Sequence, residues 1–172
     1  MKAVKIKNVL QTGAVNTPCS VQGWVRTFRA NRFIALNDGS TIDNLQCVVD
    51  FERLEESLLK QITTSAALHL EGTLVESQGS GQKVELQVEK ITLLGASDPE
   101  KYPIQPKKHS LEFLREKAHL RVRTTTFSSV MRVRSALAFA VHEFFQGEDL
   151  DEDGSDEDSD LDEDEAEEAE DA

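Results

Sequence analysis

The chain has 172 residues, with 19 Lys and Arg against 32 Asp and Glu and a sequence pI of about 4.7, which is room for one ordinary domain plus an appendage but not for a second complete catalytic domain. No apolar run approaches the roughly 18 residues of a membrane span, and the basic–apolar alternation of the N-terminal MKAVKIKNVLQ does not read as a secretory leader, so the expected setting is the cytoplasm, away from membranes. The charge is segregated: all 19 bases lie in residues 1–147 beside 15 acids, while residues 148–172 carry 17 acids and no base, so the body is mildly basic and the tail would compete with any phosphate it attracts.

Residues 1–95 read as a small β-rich domain, because short runs of β-branched and aromatic residues alternate with turn clusters at Gln11–Pro18, Asn37–Asn44 and Ser77–Gln82. The first strand is expected over Ser20–Arg29, with Val21, Gly23 and Val25 on one face and Gln22, Trp24, Arg26 and Phe28 on the other. A second follows at Arg32–Asn37, stopped by the Asn-Asp-Gly-Ser turn, and a third at Leu45–Asp50, where Leu45, Cys47 and Val49 oppose Gln46 and Val48. Leu54, Leu58, Leu59 and Ile62 then form one helical stripe within 51–64. Strand four is expected at Leu68–Val75 and strand five at Val84–Leu94, where the inward phase slips after Val88 as a β-bulge would make it.

Three strands, a helix and two more strands in about 90 residues is the order of a five-stranded OB-fold barrel, which offers a sheet face and two loops to oligonucleotides. A small SH3-like barrel satisfies the same strand list. Residues 96–126 form a linker broken by Pro99, Pro103 and Pro106, in which Ser110 can cap a helix running to Ala118. A long helix over 127–146 has an apolar stripe that needs a partner, and residues 147–172 lack the apolar content to offset chain entropy and charge repulsion, so they read as a disordered acidic tail.

Few of the titratable groups suggest catalysis. Cys19 and Cys47 are 28 residues apart with no CxxC, and His69, His109, His119 and His142 are scattered, so no metal site is expected. Gly79 and Gly81 sit in a hairpin loop rather than at a strand-to-helix phosphate site. The first three strands instead present Arg26, Phe28, Arg29, Phe33 and Gln46, the mixture that holds a single strand: guanidinium for phosphate, ring for base stacking, amide for a base edge. A Phe of a small barrel is more often a core residue, and Phe28 or Phe33 can be read that way instead.

The stretches Val21-Gln-Gly-Trp-Val-Arg-Thr27, Phe33-Ile-Ala-Leu-Asn-Asp-Gly-Ser40 and Leu45-Gln-Cys-Val-Val49 resemble the N-terminal domain of asparaginyl-tRNA synthetases, relatives of the aspartyl enzymes. Tyr102-Pro-Ile-Gln-Pro-Lys-Lys-His-Ser-Leu-Glu-Phe-Leu-Arg115 and Ala118-His-Leu-Arg121 look like that family's passage from barrel to catalytic domain, and Val130–Phe145 like the start of its class II motif 1 helix. The resemblance covers about residues 1–146 and implies an anticodon-binding module for tRNA. It assigns stacking on the central anticodon uridine to Phe33, a hydrogen bond to that base to Gln46, and a contact with the anticodon stretch to Arg26. The segment between Arg29 and Phe33 is several residues shorter than the family's, and Val122 stands where Pro is expected.

Motifs 2 and 3, which hold ATP and the aminoacyl-adenylate in that family, have no counterpart in the sequence. The chain therefore reads as a truncated member with no cofactor of its own, ATP and Mg belonging to the full-length family, and no catalysis alone. A weak homodimer through the 127–145 helix is the expected self-contact. The other reading is a stand-alone OB-fold interaction protein whose polyanionic tail masks its basic face or holds basic partners.

Overall fold

The structure, a computed structural model, describes residues 2–50, 52, 54–79 and 81–147. The acidic tail from Glu148 lies outside the described residues. The described chain runs α1 (Ile6–Thr12), β1 (Pro18–Arg29), β2 (Phe33–Asn37), β3 (Leu45–Val49), α2 (Glu56–Leu59), β4 (Ala67–Glu76), β5 (Val84–Gly95), α3 (Leu111–Glu116) and α4 (Thr125–Gly147). The strands close a barrel in the order β1-β2-β3-β5-β4, antiparallel except where β3 runs parallel to β5. This is the five-stranded OB-fold expected from the strand order.

Alternating inward side chains fill the barrel. Val21, Val25, Ile34, Leu36, Leu45, Cys47, Leu68, Leu70 and Leu86 are all essentially inaccessible to solvent, and each such aliphatic side chain contributes roughly 1.5–3 kcal/mol of transfer free energy. Cys19 and Cys47 are free and buried, and burial pushes both thiols up, so they act as small apolar residues rather than thiolates. The phase slip expected in β5 is real: Glu71 pairs with Lys90 and Gly72 with Val88, which leaves Glu89 as the extra residue. A Cβ on Gly72 would run into the Gln87 carbonyl oxygen, so the close approach at this bulge requires glycine.

Two local elements differ from the sequence reading. The stripe in 51–64 forms only the four-residue α2, with no side-chain cap at Glu55; Leu54, Leu59 and Ile62 still reach the core, so burial rather than helix periodicity sets their spacing. The helix α1 was not foreseen. It has no cap from its own flank, and its first amides are satisfied from the β2–β3 loop: Ile6 N–H donates to Asp38 Oδ2 at 3.1 Å and Lys7 N–H to Ser40 Oγ at 3.0 Å. Ile6 and Val9 then close one end of the barrel.

After β5, Ile104 and Leu114 are buried. Ser110 caps α3 as expected, its Oγ accepting from the Phe113 amide at 3.2 Å, although α3 stops at Glu116. Thr124, extended and accepting from the Phe127 amide at 3.4 Å, starts α4 two residues earlier than the apolar pattern suggested. The chain divides into two compact units, Met1–Met131 and Arg132–Ala172. In the second, the helical residues 132–147 carry Val133, Leu137, Phe139, Phe144 and Phe145 on the surface.

Asp38 links barrel and helix, so it supplies the first prediction. Burial raises its carboxyl, but hydrogen bonds from Ser40 and the Ile6 amide, with the Lys5 charge, outweigh burial and hold the group below its ordinary value. A depressed folded value stabilises the fold above the unfolded pKa of about 3.9, and that contribution fades as pH falls through the folded value. Asp38→Ala is expected to cost about 0.5–2 kcal/mol in urea unfolding at neutral pH, as lost caps do, and the difference from the parent should shrink at acid pH.

Candidate nucleic-acid interface

The β1–β2 hairpin turns through Ala30 and Asn31, both at positive φ (51° and 49°), with the Arg32 amide donating to the Arg29 carbonyl at 3.0 Å. Two consecutive left-handed residues with this bond make a type I′ turn within the three-residue loop Ala30–Arg32 that joins the paired Arg29 and Phe33. The tight turn fixes the register Arg29↔Phe33, Phe28↔Ile34 and Thr27↔Ala35, and then a bulge at Arg26 brings Val25 opposite Leu36 and Trp24 opposite Asn37. Because β2 alternates without interruption, Phe33, Ala35 and Asn37 share the outward face while Ile34 and Leu36 point into the core.

At the turn end of this face, Phe33 is half-buried, Arg29 is its cross-strand neighbour, and the Arg32 guanidinium lies 5.6 Å from its ring centroid. Gln46 pairs with Ala35 and Val48 with Phe33, so Phe33 and Gln46 are diagonal neighbours on one surface, a spacing of about 7–8 Å. The Gln46 side-chain amide donates to Glu85 Oε2 at 3.1 Å, and the Ser77 hydroxyl donates to the same oxygen at 3.3 Å. Glu85 is only 6% exposed. With one amide hydrogen held by Glu85, the other hydrogen and Oε1 of Gln46 are left to meet a donor–acceptor base edge such as that of uracil.

The other end of the face is covered by the linker. The Arg26 Nη1 donates to the Arg123 carbonyl, and the Arg123 guanidinium sits 4.0 Å from the Trp24 ring centroid and 3.5 Å from Ser65 Oγ. Burial, opposed by Tyr102 and reinforced by the Arg123 charge, holds the Arg26 guanidinium below its ordinary value, where it stays protonated at neutral pH.

Comparison with known proteins decides what this arrangement belongs to. A family model for an OB-fold nucleic acid binding domain, of the tRNA anti-codon type, matches residues 19–94. Asparagine–tRNA ligase of Parabacteroides distasonis is 52% identical over 148 residues, covering 84% of this chain and 32% of the relative, and that of Cytophaga hutchinsonii is 51% identical over 150 residues with the same shares. The chain belongs to the asparaginyl-tRNA synthetase family. It spans about a third of the length of the curated relatives it matches. The asparaginyl-tRNA synthetase of Pyrococcus horikoshii complexed with asparaginyl-adenylate has the same fold, with a TM-score of 0.70 at 23% identity over 85% of this chain and 34% of that one.

Of the side chains singled out from the sequence, Phe33, Arg29 and Gln46 come together on the outward face of this synthetase-family barrel. Phe28 does not: it pairs with Ile34 and packs against the core. The bulge at Arg26 inverts the alternation expected along β1, which also diverts Arg26 itself to the linker. Glu85 was overlooked in the sequence, although its place between the inward Val84 and Leu86 marks it as outward. The Arg26–Arg123 contact spans 97 residues and leaves no local signal.

The I′ turn holds an alanine at positive φ, a strain of about 1–2 kcal/mol that glycine would relieve at some entropic cost. Ala30→Gly is expected to raise stability by roughly 0.5–1 kcal/mol in thermal or urea unfolding, with the outward face unchanged.

Proposed function

We propose that the outward face of β1–β3 holds the unpaired bases of a tRNA anticodon loop. Phe33 stacks on the central base, Gln46 reads its edge from the orientation set by Glu85, and Arg29 and Arg32 neutralise the flanking phosphates, while Arg26 supports the strand from the linker side. The observation that carries the reading is the diagonal placement of Phe33 and Gln46 on one face, with Arg29 and Arg32 beside the ring. A ring for stacking beside an amide with a spare donor and acceptor suits one exposed base.

Equilibrium binding of an anticodon stem-loop to the full chain tests this. Affinity should fall steeply with salt, and Phe33→Ala should weaken it by about 1–3 kcal/mol, the worth of one stacked base. Gln46→Ala should weaken binding and flatten the preference for uridine at the central position. Binding indifferent to both substitutions would remove the face assignment. With no motif 2 or 3 in its sequence, the chain alone is expected to give no ATP–pyrophosphate exchange.

A second reading rests on the charge segregation, 17 acids without a base in residues 148–172. On that reading the tail competes with RNA for the arginine-rich face, and removing residues 148–172 tightens stem-loop binding, most strongly at low salt. The exposed stripe of α4 also suits a weak self-contact, which sedimentation at increasing concentration would reveal as a dimer.

A further inference from the structure

A cleft of about 500 Å³ opens at the end of the outward face away from the hairpin turn, lined by Lys5, Trp24, Arg26, Asn37, Asp38 and Arg123 among others. Its titratable lining is three cations and one carboxylate, and that carboxylate is already committed: Asp38 accepts from the Ile6 amide, the Ser40 amide and the Ser40 hydroxyl. The cleft is thus cationic. Its one aromatic surface is Trp24, 37% exposed on a strand whose neighbouring Val25 is 1% exposed. The Arg123 guanidinium lies over this indole, 4.0 Å from its centroid, so the partly exposed ring and the guanidinium stacked on it form one flat, positively charged surface. That combination accepts a nucleotide: base against the guanidinium–indole stack, phosphate among the cations.

The position of the cleft connects it to the Phe33 platform. Trp24 pairs with Asn37, four residues along β2 from Phe33, or about 13 Å at a strand rise of about 3.3 Å per residue. That distance corresponds to about four nucleotides at a stacked rise of about 3.4 Å, and to fewer where the strand is drawn out. Asn37, Ala35 and Phe33 lie on one face of one strand, so no barrel edge has to be crossed between the two sites.

We propose that the Trp24 cleft is a second nucleotide subsite, which holds a base and phosphate of the same RNA strand a few nucleotides away from the one stacked on Phe33. The proposal rests on the anticodon-loop reading for the identity of the strand, but the cleft has its own reporter. Trp24 is the single tryptophan of the chain, so its emission follows the occupancy of the cleft and not of the Phe33 platform.

The experiment is a titration of the full chain with heptauridylate at low salt, followed both by anisotropy of labelled RNA and by tryptophan emission. The expected result is a saturable change in emission with the same midpoint as the anisotropy. Trp24→Leu should weaken binding by roughly 5- to 150-fold, the worth of one stacked base, and Lys5→Gln, which leaves the barrel core untouched, should weaken it less and lower the salt slope by about one ion. Phe33→Ala separates the two readings. If it leaves heptauridylate affinity unchanged while emission still responds, the Phe33 platform fails and the cleft stands. If heptauridylate binds in a Phe33-dependent way while emission stays flat and Lys5→Gln has no effect, the platform stands and the cleft proposal is overturned, leaving the cleft as a seat for protein. No binding at all would overturn both.

Discussion

The bulge at Arg26 is the constraint on which the rest of the surface depends. Without it, strict alternation from the inward Val21 and Val25 would send Phe28 outward and leave Ile34 without its core neighbour. One extra residue between Val25 and Thr27 reverses the phase, so Phe28 joins the core and Arg29 comes level with Phe33. A bulge also bends and twists its strand, and β1 must pair with β2 at one end and β4 at the other to close the barrel. The same irregularity therefore satisfies closure and sorts the side chains into those that stabilise the barrel and those left for a ligand.

That dependence explains what was legible in the sequence. The inward residues of β2 through β5 could be read because period-2 alternation and burial agree, and even the slip after Val88 showed itself as two apolar residues out of phase. The β1 bulge left no such trace: Gln22, Trp24, Arg26 and Phe28 give a regular alternation of plausible outward residues, so the inversion is decided by pairing with β2. Helix α1 was hidden for a related reason. Its seven residues carry no cap and little amphipathic length, and the groups that satisfy its first amides come from Asp38 and Ser40, some thirty residues away. The linker was legible as punctuation, through its prolines and the Ser110 cap, but not as a lid.

The loop after β2 shows how closely stability and surface chemistry are joined in a barrel this small. Asn37 anchors the loop by donating to the Thr41 and Asp43 carbonyls, Asp38 and Ser40 cap α1, and the outer side of the same loop lines the cationic cleft. Asp38 is an acid among cations, which by charge alone would oppose an RNA phosphate. Its oxygens are spent on amides and a hydroxyl, so part of its field is cancelled where it stands. A carboxylate used as a cap can thus sit beside a polyanion site at little cost to affinity, provided the cap stays made.

Arg26 and Arg123 follow the same logic on the linker side. A guanidinium that is partly desolvated needs a partner, and the Arg123 carbonyl supplies one to Arg26 while the Arg123 side chain covers Trp24. The linker is thereby tied to β1 by a charge-assisted bond and a cation–π contact, each of which strengthens as water is excluded. Both contacts lie at the end of the outward face remote from Phe33, so the linker can be held to the barrel without covering the ring, the amide and the two arginines near the turn. The division of labour along one hairpin follows from where the bulge falls: its turn end is left open to a ligand, and its far end is shared between the fold and whatever enters the cleft.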